Sequence, residues 1–367
     1  MPKATISTLV AELEARGLVR DGHVERDGAI GRPAQVVELD GRTICALGAE
    51  VSPTGIGVIA EDLQGEVLFR RNVAIDVPAL TPAQTLDQLA RVLRQAFRRM
   101  RNRDVDVVGA CVAVPGMVDV NAGMLVFSAN IGWRDVDVIG QLQKHLGEHV
   151  PPLQLENNVR VGAVAEHARV AGQGEQDLVY LIGEVGIGAG IIVKGQLLRG
   201  HAGHAGEVGH MALGPPTSRC PCGRRGCWEL TIGLRAFLEL AADPDDPVRD
   251  PSRHIEERLG ELRTRAEDGD QRVVEAFGRT AKSLADGIAI ITDLLDPSLI
   301  VLGGYFAFFG DHYLGLVQAG LDARAMTPTP PSNRVVASTF GYSSALRGAA
   351  AQALRIVYQD PTLVPMP

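Results

Sequence analysis

One segment of the sequence, residues 200–229, contains four soft metal ligands in the pattern H-x9-C-x-C-x4-C: His210, Cys220, Cys222 and Cys227. Structural zinc is held tetrahedrally by such thiolates and imidazoles, and Gly223 and Gly226 allow the backbone to fold back onto an ion. Three of the five cysteines fall within eight positions, which argues against a chance cluster of ordinary buried cysteines. Cys220 and Cys222 are too close for a comfortable disulfide. The pattern predicts a structural zinc ion, since four protein ligands leave no open position for a substrate.

Two glutamates flank the predicted metal loop. Glu207 lies three residues before the histidine, and Glu229 lies two residues after the last cysteine. Carboxylates held beside a rigid loop are suited to bind hydroxyl groups, as in a sugar site. The alternative is that both are ordinary loop acids that face solvent.

The stretches GEVGHM and CPCGRRGCWE resemble the signature of the ROK family of repressors, open reading frames of unknown role and sugar kinases. The resemblance extends over essentially the whole chain. It implies that the histidine and the three cysteines bind zinc, and that Glu207, His210 and Glu229 reach a sugar. It also implies an α/β fold of two actin-like or hexokinase-like lobes, which are ribonuclease H-like in topology.

Composition agrees with a soluble globular protein of two lobes and an appendage. The chain has 367 residues, which is longer than one ordinary core requires. Of these residues 46% are hydrophobic and 22% are charged, as is typical of a soluble globular protein. Its net charge of −8 means that any nucleic-acid binding must lie in a local patch. A basic stretch at 91–103 is interpreted as a solvated helix face. No apolar run is long enough to span a membrane, and no signal pattern begins the chain, so a cytoplasmic location is expected.

The amino-terminal segment, residues 1–42, is predicted to be a helix followed by a two-stranded ribbon. Apolar residues recur at helical spacing from Ile6 to Leu13 before Gly17, and the ribbon would turn near Asp27-Gly28. This arrangement resembles the second half of the winged helix-turn-helix of ROK repressors. The resemblance implies that four side chains of the helix face the major groove of DNA: Lys3, Thr5, Ser7 and Thr8. It also implies that Arg32, at the wing, enters the minor groove.

Two helices that precede the recognition helix in ROK repressors are absent from this sequence. Without them the apolar face of residues 6–13 has little to pack against. Residues 1–42 also hold six basic and seven acidic side chains, a weak attraction for phosphate. Either the sequence is part of a longer repressor or DNA binding has been lost, and a helix and hairpin used for dimerisation remains an alternative.

The first lobe is predicted to comprise residues 43–156 plus 344–367. Residues 44–72 are expected to form two strands that turn at Asp62–Gly65. The place of the Asp-x-Gly-Gly-Thr phosphate loop of ROK kinases is taken by Glu50–Thr54, in which Pro53 lacks an N–H. Asn130, just before Gly132-Trp133, takes the place of the family's sugar-facing asparagine. The alternative for Asn130 is a residue that stabilises a turn.

The second lobe is predicted to comprise residues 157–343, including the metal loop. The family kinases carry Asn-Asp where this chain has Asn157-Asn158, and the aspartate is their general base. An amide cannot take the proton of a sugar hydroxyl, so Asn158 should not support catalysis. The second phosphate loop of the kinases becomes Glu184–Gly188, which places a carboxylate where a triphosphate would sit. Leu302–Gly304 still resembles the segment beneath the adenosine.

These observations predict a sugar-responsive transcriptional repressor of the ROK family that does not transfer phosphate. A sugar effector would bridge the two lobes, favour closure and so alter the separation of two DNA-binding ends in a dimer. The sugar would be held by six side chains: Asn130, Asn157, Asn158, Glu207, His210 and Glu229. The expected partners are this sugar, operator DNA if the whole DNA-binding domain is present, and further copies of the chain in a homodimer or homotetramer. The alternatives are an ATP-dependent sugar kinase and a sugar-binding protein without a DNA role.

Overall fold

A computed structural model describes residues 2–22, 36–147, 150–184, 186–201, 203–251, 253–325 and 333–366. The chain forms two compact units, of which the first contains Met1–Asn158 and Leu346–Pro367 and the second contains Val159–Ala345. Several predicted features lie outside the described residues: the turn at Asp27-Gly28, the wing residue Arg32, Val185 and the Pro-rich loop 327–332. Whether residues 1–42 form a domain of their own stays a prediction.

The amino-terminal segment contains a helix and two short strands: α1 (Lys3–Ala15), β1 (Val19–Asp21) and β2 (Val37–Leu39). The strands pair antiparallel, and Gly17 ends the helix with a φ of +68°. The predicted helix and ribbon are therefore confirmed. Ile6 and Leu9 remain 49% and 44% exposed, as expected for an apolar face without a partner helix.

The main sheet of the first unit has the strand order β10-β6-β3-β4-β5. Its strands and helices, with a small sheet β7-β8-β9 inserted, are in chain order β3 (Ile44–Ser52), β4 (Gly55–Asp62), β5 (Val67–Ala74), α2 (Pro82–Arg101), β6 (Asp106–Val114), β7 (Met117–Asp119), β8 (Met124–Ser128), β9 (Trp133–Asp137), α3 (Val138–Leu146) and β10 (Leu153–Asn157). β3, β6 and β10 run parallel, and β4 and β5 return antiparallel.

The expectation of two strands between residues 44 and 72 is wrong, because the chain turns once more at Pro53 and Thr54. Ser52 pairs with Gly55 across this tight hairpin. A Cβ on Gly55 would lie 2.6 Å from the carbonyl oxygen of Val73 on the neighbouring strand, so only glycine fits without a shift. The predicted counterpart of a phosphate loop is thus the end of a strand and a two-residue turn.

The sheet of the second unit has the order β13-β12-β11-β14-β15. Read from β15 to β13, it repeats the strand order of the first unit. Its elements, the first and last of which extend into the first unit, are α4 (Asn158–Val170), β11 (Leu178–Gly183), β12 (Ile187–Val193), β13 (Gln196–Leu197), α5 (Glu229–Ile232), α6 (Leu234–Ala241), α7 (Ile255–Glu267), α8 (Gln271–Leu295), β14 (Leu299–Gly304), α9 (Tyr305–Phe308), α10 (Gly310–Asp322), β15 (Arg334–Ala337) and α11 (Ser344–Gln359). β11, β14 and β15 are parallel, and β12 and β13 are antiparallel. Two units of this topology make an actin-like, hexokinase-like fold.

Each unit has its own hydrophobic core. In the first, the apolar face of α2 is buried against the sheet through residues such as Leu86, Leu89 and Leu93. In the second, stacked and tilted rings of α6, α8, α9 and α10 pack together, with Phe237 5.4 Å from Tyr305 and 5.6 Å from Phe277 between ring centroids. Within the part of the chain that the structure describes, no helix is both long and apolar enough to cross a membrane.

Candidate functional site: a histidine and three cysteines flanked by carboxylates

The four predicted metal ligands come together in the second unit. One ligand atom from each of His210, Cys220, Cys222 and Cys227 lies within 4.8 Å of all the others. Cys222 Sγ and Cys227 Sγ are 3.6 Å apart, and Cys220 Sγ is 3.8 Å from His210 Nδ1. A tetrahedral zinc ion with bonds of about 2.3 Å to sulfur and about 2.0 Å to nitrogen separates such atoms by about 3.6 to 3.8 Å. The donor set and its spacing therefore fit a zinc ion.

The backbone of the metal loop folds back on itself as a knuckle. The N–H of Cys220 donates to the carbonyl of Arg224 at 2.9 Å, and the N–H of Gly223 donates to the carbonyl of Cys220 at 3.0 Å. Gly223 and Gly226 have φ angles of +91° and +68°, which side chains with a Cβ rarely adopt. The backbone of the loop thus uses the conformational freedom expected of the two glycines, and their role around an ion stays a prediction.

The core of the second unit fixes one end of the metal loop. Trp228, directly after the last cysteine, is fully buried, and its Nε1 donates to the carbonyl of Ser283 on α8 at 3.1 Å. A Cβ on Gly287 of the same helix would lie 2.1 Å from the indole ring, so the helix admits the ring only because this residue is glycine. The position of Cys227 is therefore tied to the packing of α8.

Both flanking glutamates point to the histidine. Oε1 of Glu229 lies 3.6 Å from Nδ1 of His210, and Oε2 of Glu207 lies 3.9 Å from its Nε2. The side chain of Glu229 is 15% exposed and that of Glu207 is 35% exposed. A metal on Nδ1 leaves Nε2–H as a donor on the side of Glu207. The second unit thus groups two carboxylates and an imidazole at one place, where they can exchange hydrogen bonds with hydroxyl groups.

The environment of the thiols favours protonation when no cation is near. Burial raises the pKa of Cys220 well above the usual range, and the Glu229 carboxylate, which accepts a hydrogen bond from the thiol at 2.7 Å, raises it further. Burial also raises the pKa of Cys227. Neighbouring thiolates and a carboxylate repel one another, so a bound cation is what would stabilise all three cysteines as thiolates.

The three predicted asparagines belong to the first unit. Asn157 ends β10, is 7% exposed, and donates from Nδ2 to the carbonyl of Gly116 at 2.9 Å. Asn158 is the first residue of α4. Asn130 is exposed between β8 and β9. Glu207 and Glu229 belong to the second unit, and the grouping of the three asparagines with them stays a prediction.

The altered phosphate positions also have defined surroundings. Glu50 lies within β3, where it pairs with Gly57 of β4 and Ala113 of β6. Burial raises the pKa of Glu184, which follows the end of β11, and its carbonyl accepts from the N–H of Leu234 at 3.1 Å. Gly304 ends β14 with a φ of +61°.

The proposed DNA-contacting side chains lie on α1 where the structure describes them. Thr5, Ser7 and Thr8 are exposed, and Oγ1 of Thr8 donates to the carbonyl of Ala4 at 3.1 Å. The side chain of Lys3 is outside the described set. An exposed polar surface on this helix is compatible with a recognition role, which stays a prediction.

Sequence reasoning missed two buried charged residues of α4, Arg160 and Glu166, which are 2% and 3% exposed. Glu166 accepts hydrogen bonds from the hydroxyls of Ser338 and Ser344 and from the N–H of Thr339, and so holds the segment that leads into α11. The signal in the sequence was an arginine and a glutamate inside the otherwise apolar run VRVGAVAE. A charge within such a run needs partners, because an uncompensated buried charge is costly.

Comparisons with known proteins identify relatives of this chain. The profile of the ROK family matches residues 46–356. A putative xylose repressor from Caldicellulosiruptor sp. (strain Rt8B.4) is 27% identical over 369 residues, which cover 99% of this chain and 91% of the relative. The resemblance found in the metal loop is therefore confirmed for most of the chain.

Two solved structures carry the same fold. A ROK family transcriptional regulator, a homologue of the Escherichia coli Mlc protein, aligns with a TM-score of 0.77 and 23% identity over 99% of this chain and 92% of its own. A ROK family glucokinase from Streptomyces griseus, solved with glucose and AMPPNP, aligns with a TM-score of 0.69 and 26% identity over 85% of this chain and 99% of its own. The predicted fold class is confirmed.

Proposed function

This chain belongs to the ROK family, and we propose on that premise that it is a sugar-responsive transcriptional repressor. The observation that carries the proposal is that one chain combines a helix and ribbon at its amino terminus with a polar cluster suited to hydroxyl groups. The putative xylose repressor supports it, since it aligns over 99% of the chain, whereas the glucokinase structure aligns over 85%. The family profile begins only at residue 46, after the helix and ribbon.

The metal of the loop is proposed to be a structural zinc ion held by His210 and the three cysteines. The four ligand atoms lie within 4.8 Å of one another, which supports zinc, and four protein ligands would leave the ion no position for catalysis. Cys222→Ala should lower the zinc content of the purified protein, measured by mass spectrometry, from one ion per chain to a small fraction. Cys45→Ala, which removes a buried thiol elsewhere, should leave the zinc content unchanged. Equal zinc in both variants would refute the assignment.

The sugar is proposed to be held by six side chains: Asn130, Asn157, Asn158, Glu207, His210 and Glu229. Support comes from the convergence of Glu207 and Glu229 on one imidazole and, for the asparagines, from the resemblance to the family's sugar site. The sugar would bind one conformation of the protein better than another and so change the affinity for operator DNA. The protein is proposed to act as a homodimer or homotetramer.

Calorimetry and thermal shift with a panel of free and phosphorylated sugars test this proposal. The panel should include D-xylose and D-glucose, the sugars suggested by the repressor relative and the glucokinase neighbour. Binding of a sugar raises the melting temperature by mass action. Glu229→Gln should lower the affinity for the sugar, because a carboxylate is a stronger hydrogen-bond acceptor than an amide. If no sugar binds at millimolar concentration, the effector part of the proposal fails.

Gel shift with DNA fragments that flank the protein's own gene tests the repressor part. The effector identified by calorimetry should release the DNA. Sugar binding without any DNA binding would instead support a sugar-binding protein with no regulatory role.

A sugar kinase is the second candidate, favoured by the glucokinase structure with glucose and AMPPNP. Against it stand Asn158, an amide that cannot act as a general base, and Glu184, a carboxyl group at the position where a triphosphate would bind. A coupled assay of ADP release decides between the two. Saturable ADP production that depends on a sugar would replace the repressor proposal with an enzyme.

A further inference from the structure

Arg160 is a buried arginine with an unusual set of partners. It lies in the first turn of α4, two residues after Asn158, and is only 2% exposed. Its NH2 group donates to the carbonyl oxygens of Gly203 and, at 3.3 Å, Ala205. Both acceptors belong to the loop that leads from β13 into the short 3-10 helix Val208–His210. The guanidinium therefore joins the start of α4 to the backbone just before Glu207.

The sequence of this loop gives it little rigidity of its own. Gly200, Gly203 and Gly206 all have positive φ angles, of +72°, +74° and +96°. Glycines in such conformations lose more entropy on ordering than other residues. The end of the loop is held by the N–H of Ala189, which donates to the carbonyl of Gly206 at 3.0 Å. Arg160 supplies the side-chain hydrogen bonds that hold its middle.

We propose that Arg160 is a positioning residue for the sugar effector, an inference that rests on the proposed function. By fixing the carbonyls of Gly203 and Ala205, it orders the loop so that Glu207 is presented in the binding conformation before the sugar arrives. It also makes this loop and the first turn of α4, which begins with Asn158, move together. Preorganisation of this kind raises affinity, since the ordering cost is met on folding and not on binding.

Replacement of the guanidinium tests the role. Arg160→Met keeps an unbranched apolar stem and removes the guanidinium with its hydrogen bonds to Gly203 and Ala205, and we expect sugar affinity to fall roughly tenfold to a hundredfold. Arg160→Lys keeps a charge but offers a point donor in place of a planar fork, so it should restore part of the affinity. Arg169→Met is the matched control, because Arg169 is an exposed arginine of the same helix. It should bind sugar as the wild type does.

Hydrogen exchange provides a readout that does not need the sugar. In Arg160→Met, amides of residues 199–206 should exchange faster than in the wild type, while the zinc content stays at one ion per chain. Wild-type affinity together with wild-type exchange in Arg160→Met would overturn the proposal. Loss of zinc and of global stability in Arg160→Met that Arg160→Lys does not restore would also overturn it, because such a result indicates a general structural role for Arg160. If the wild type binds no sugar, the proposed function fails, and unchanged exchange in the loop would separately refute the positioning role.

Discussion

At the scale of single residues, the surroundings of each carboxylate decide what it can do. Glu229 and Glu207 lie near an imidazole and keep partial exposure, which leaves them able to meet a ligand. Glu61 on β4 is only 5% exposed, and burial raises its pKa to about 7 although Arg347 approaches within 2.7 Å and opposes the shift. Glu61 is thus a buried acid of the first unit whose proton should be visible in stability measurements.

The pH dependence of stability should report this buried acid. The folded protein holds the proton of Glu61 up to a pH of about 7, whereas the unfolded chain releases it near the usual value of 4.5. Between these values the folded state binds more protons, so the contribution of Glu61 to stability falls as pH rises. Relative to Glu61→Gln, the wild-type free energy of unfolding should drop by on the order of 1–3 kcal/mol between about pH 5 and pH 8.

Urea unfolding of both proteins at the two pH values measures this effect. Comparison with the glutamine variant cancels the other titrating groups, which the two proteins share. A difference in unfolding free energy that stays constant with pH would contradict the raised pKa of Glu61.

At the scale of secondary-structure elements, α11 lies close against the sheet of the first unit because small residues face it. A Cβ on Gly48 of β3 would be 2.1 Å from the carbonyl oxygen of Leu346 and 2.7 Å from the nitrogen of Ala350. These are backbone atoms of a helix and cannot move aside singly. At Gly109 of β6, the same addition would meet the carbonyl of Ala353 at an ordinary 3.6 Å.

Alanine at these two glycines should therefore have different effects. Gly48→Ala should lower the free energy of unfolding by about 1–3 kcal/mol through overpacking. Gly109→Ala adds the same methyl group to a neighbouring strand where space exists, and should change stability by about 0.5 kcal/mol or less. Thermal and urea unfolding of the two variants provide the measurement. Equal destabilisation would mean that strand propensity, and not the approach of α11, governs both sites.

At the scale of the whole molecule, two units with the same order of strands carry separate cores and different functional groups. The metal loop joins the core of the second unit through Trp228, which packs against Gly287 of α8. The core of the first unit contains α2 and the sheet around β3 and is built from other residues. Removal of the metal should therefore act mainly on one unit.

Chelation followed by hydrogen exchange tests this separation. After treatment with a strong zinc chelator, amides of residues 207–232 and of the middle of α8 should exchange faster, because Cys227 and Trp228 lose their fixed position. Amides of β3, β4 and β6 serve as an internal reference and should keep their rates. A uniform increase across both units would show that the metal stabilises the molecule as a whole.

Much of the fold followed from local patterns. The helix and the ribbon at the amino terminus and the helix face at residues 91–103 were predicted, since burial of one face imposes a period on the sequence. The extra turn at Pro53 and Thr54 was not predicted, because this hairpin also depends on the close approach of β5 to Gly55. Long-range contacts of that kind leave no periodic signal.

The sequence by itself identified the four candidate metal ligands, because four soft donors within eighteen positions can reach one ion without help from distant parts of the chain. It also indicated the carboxylates beside them and, through the resemblance in the metal loop, the family. Only the tertiary structure decided that Glu229 meets the thiol of Cys220, that Trp228 ties the loop to α8, and that Arg160 holds the backbone before Glu207. The contacts of Trp228 and Arg160 join residues 55 and 45 positions apart in the chain, and their formation depends on how whole helices and strands pack.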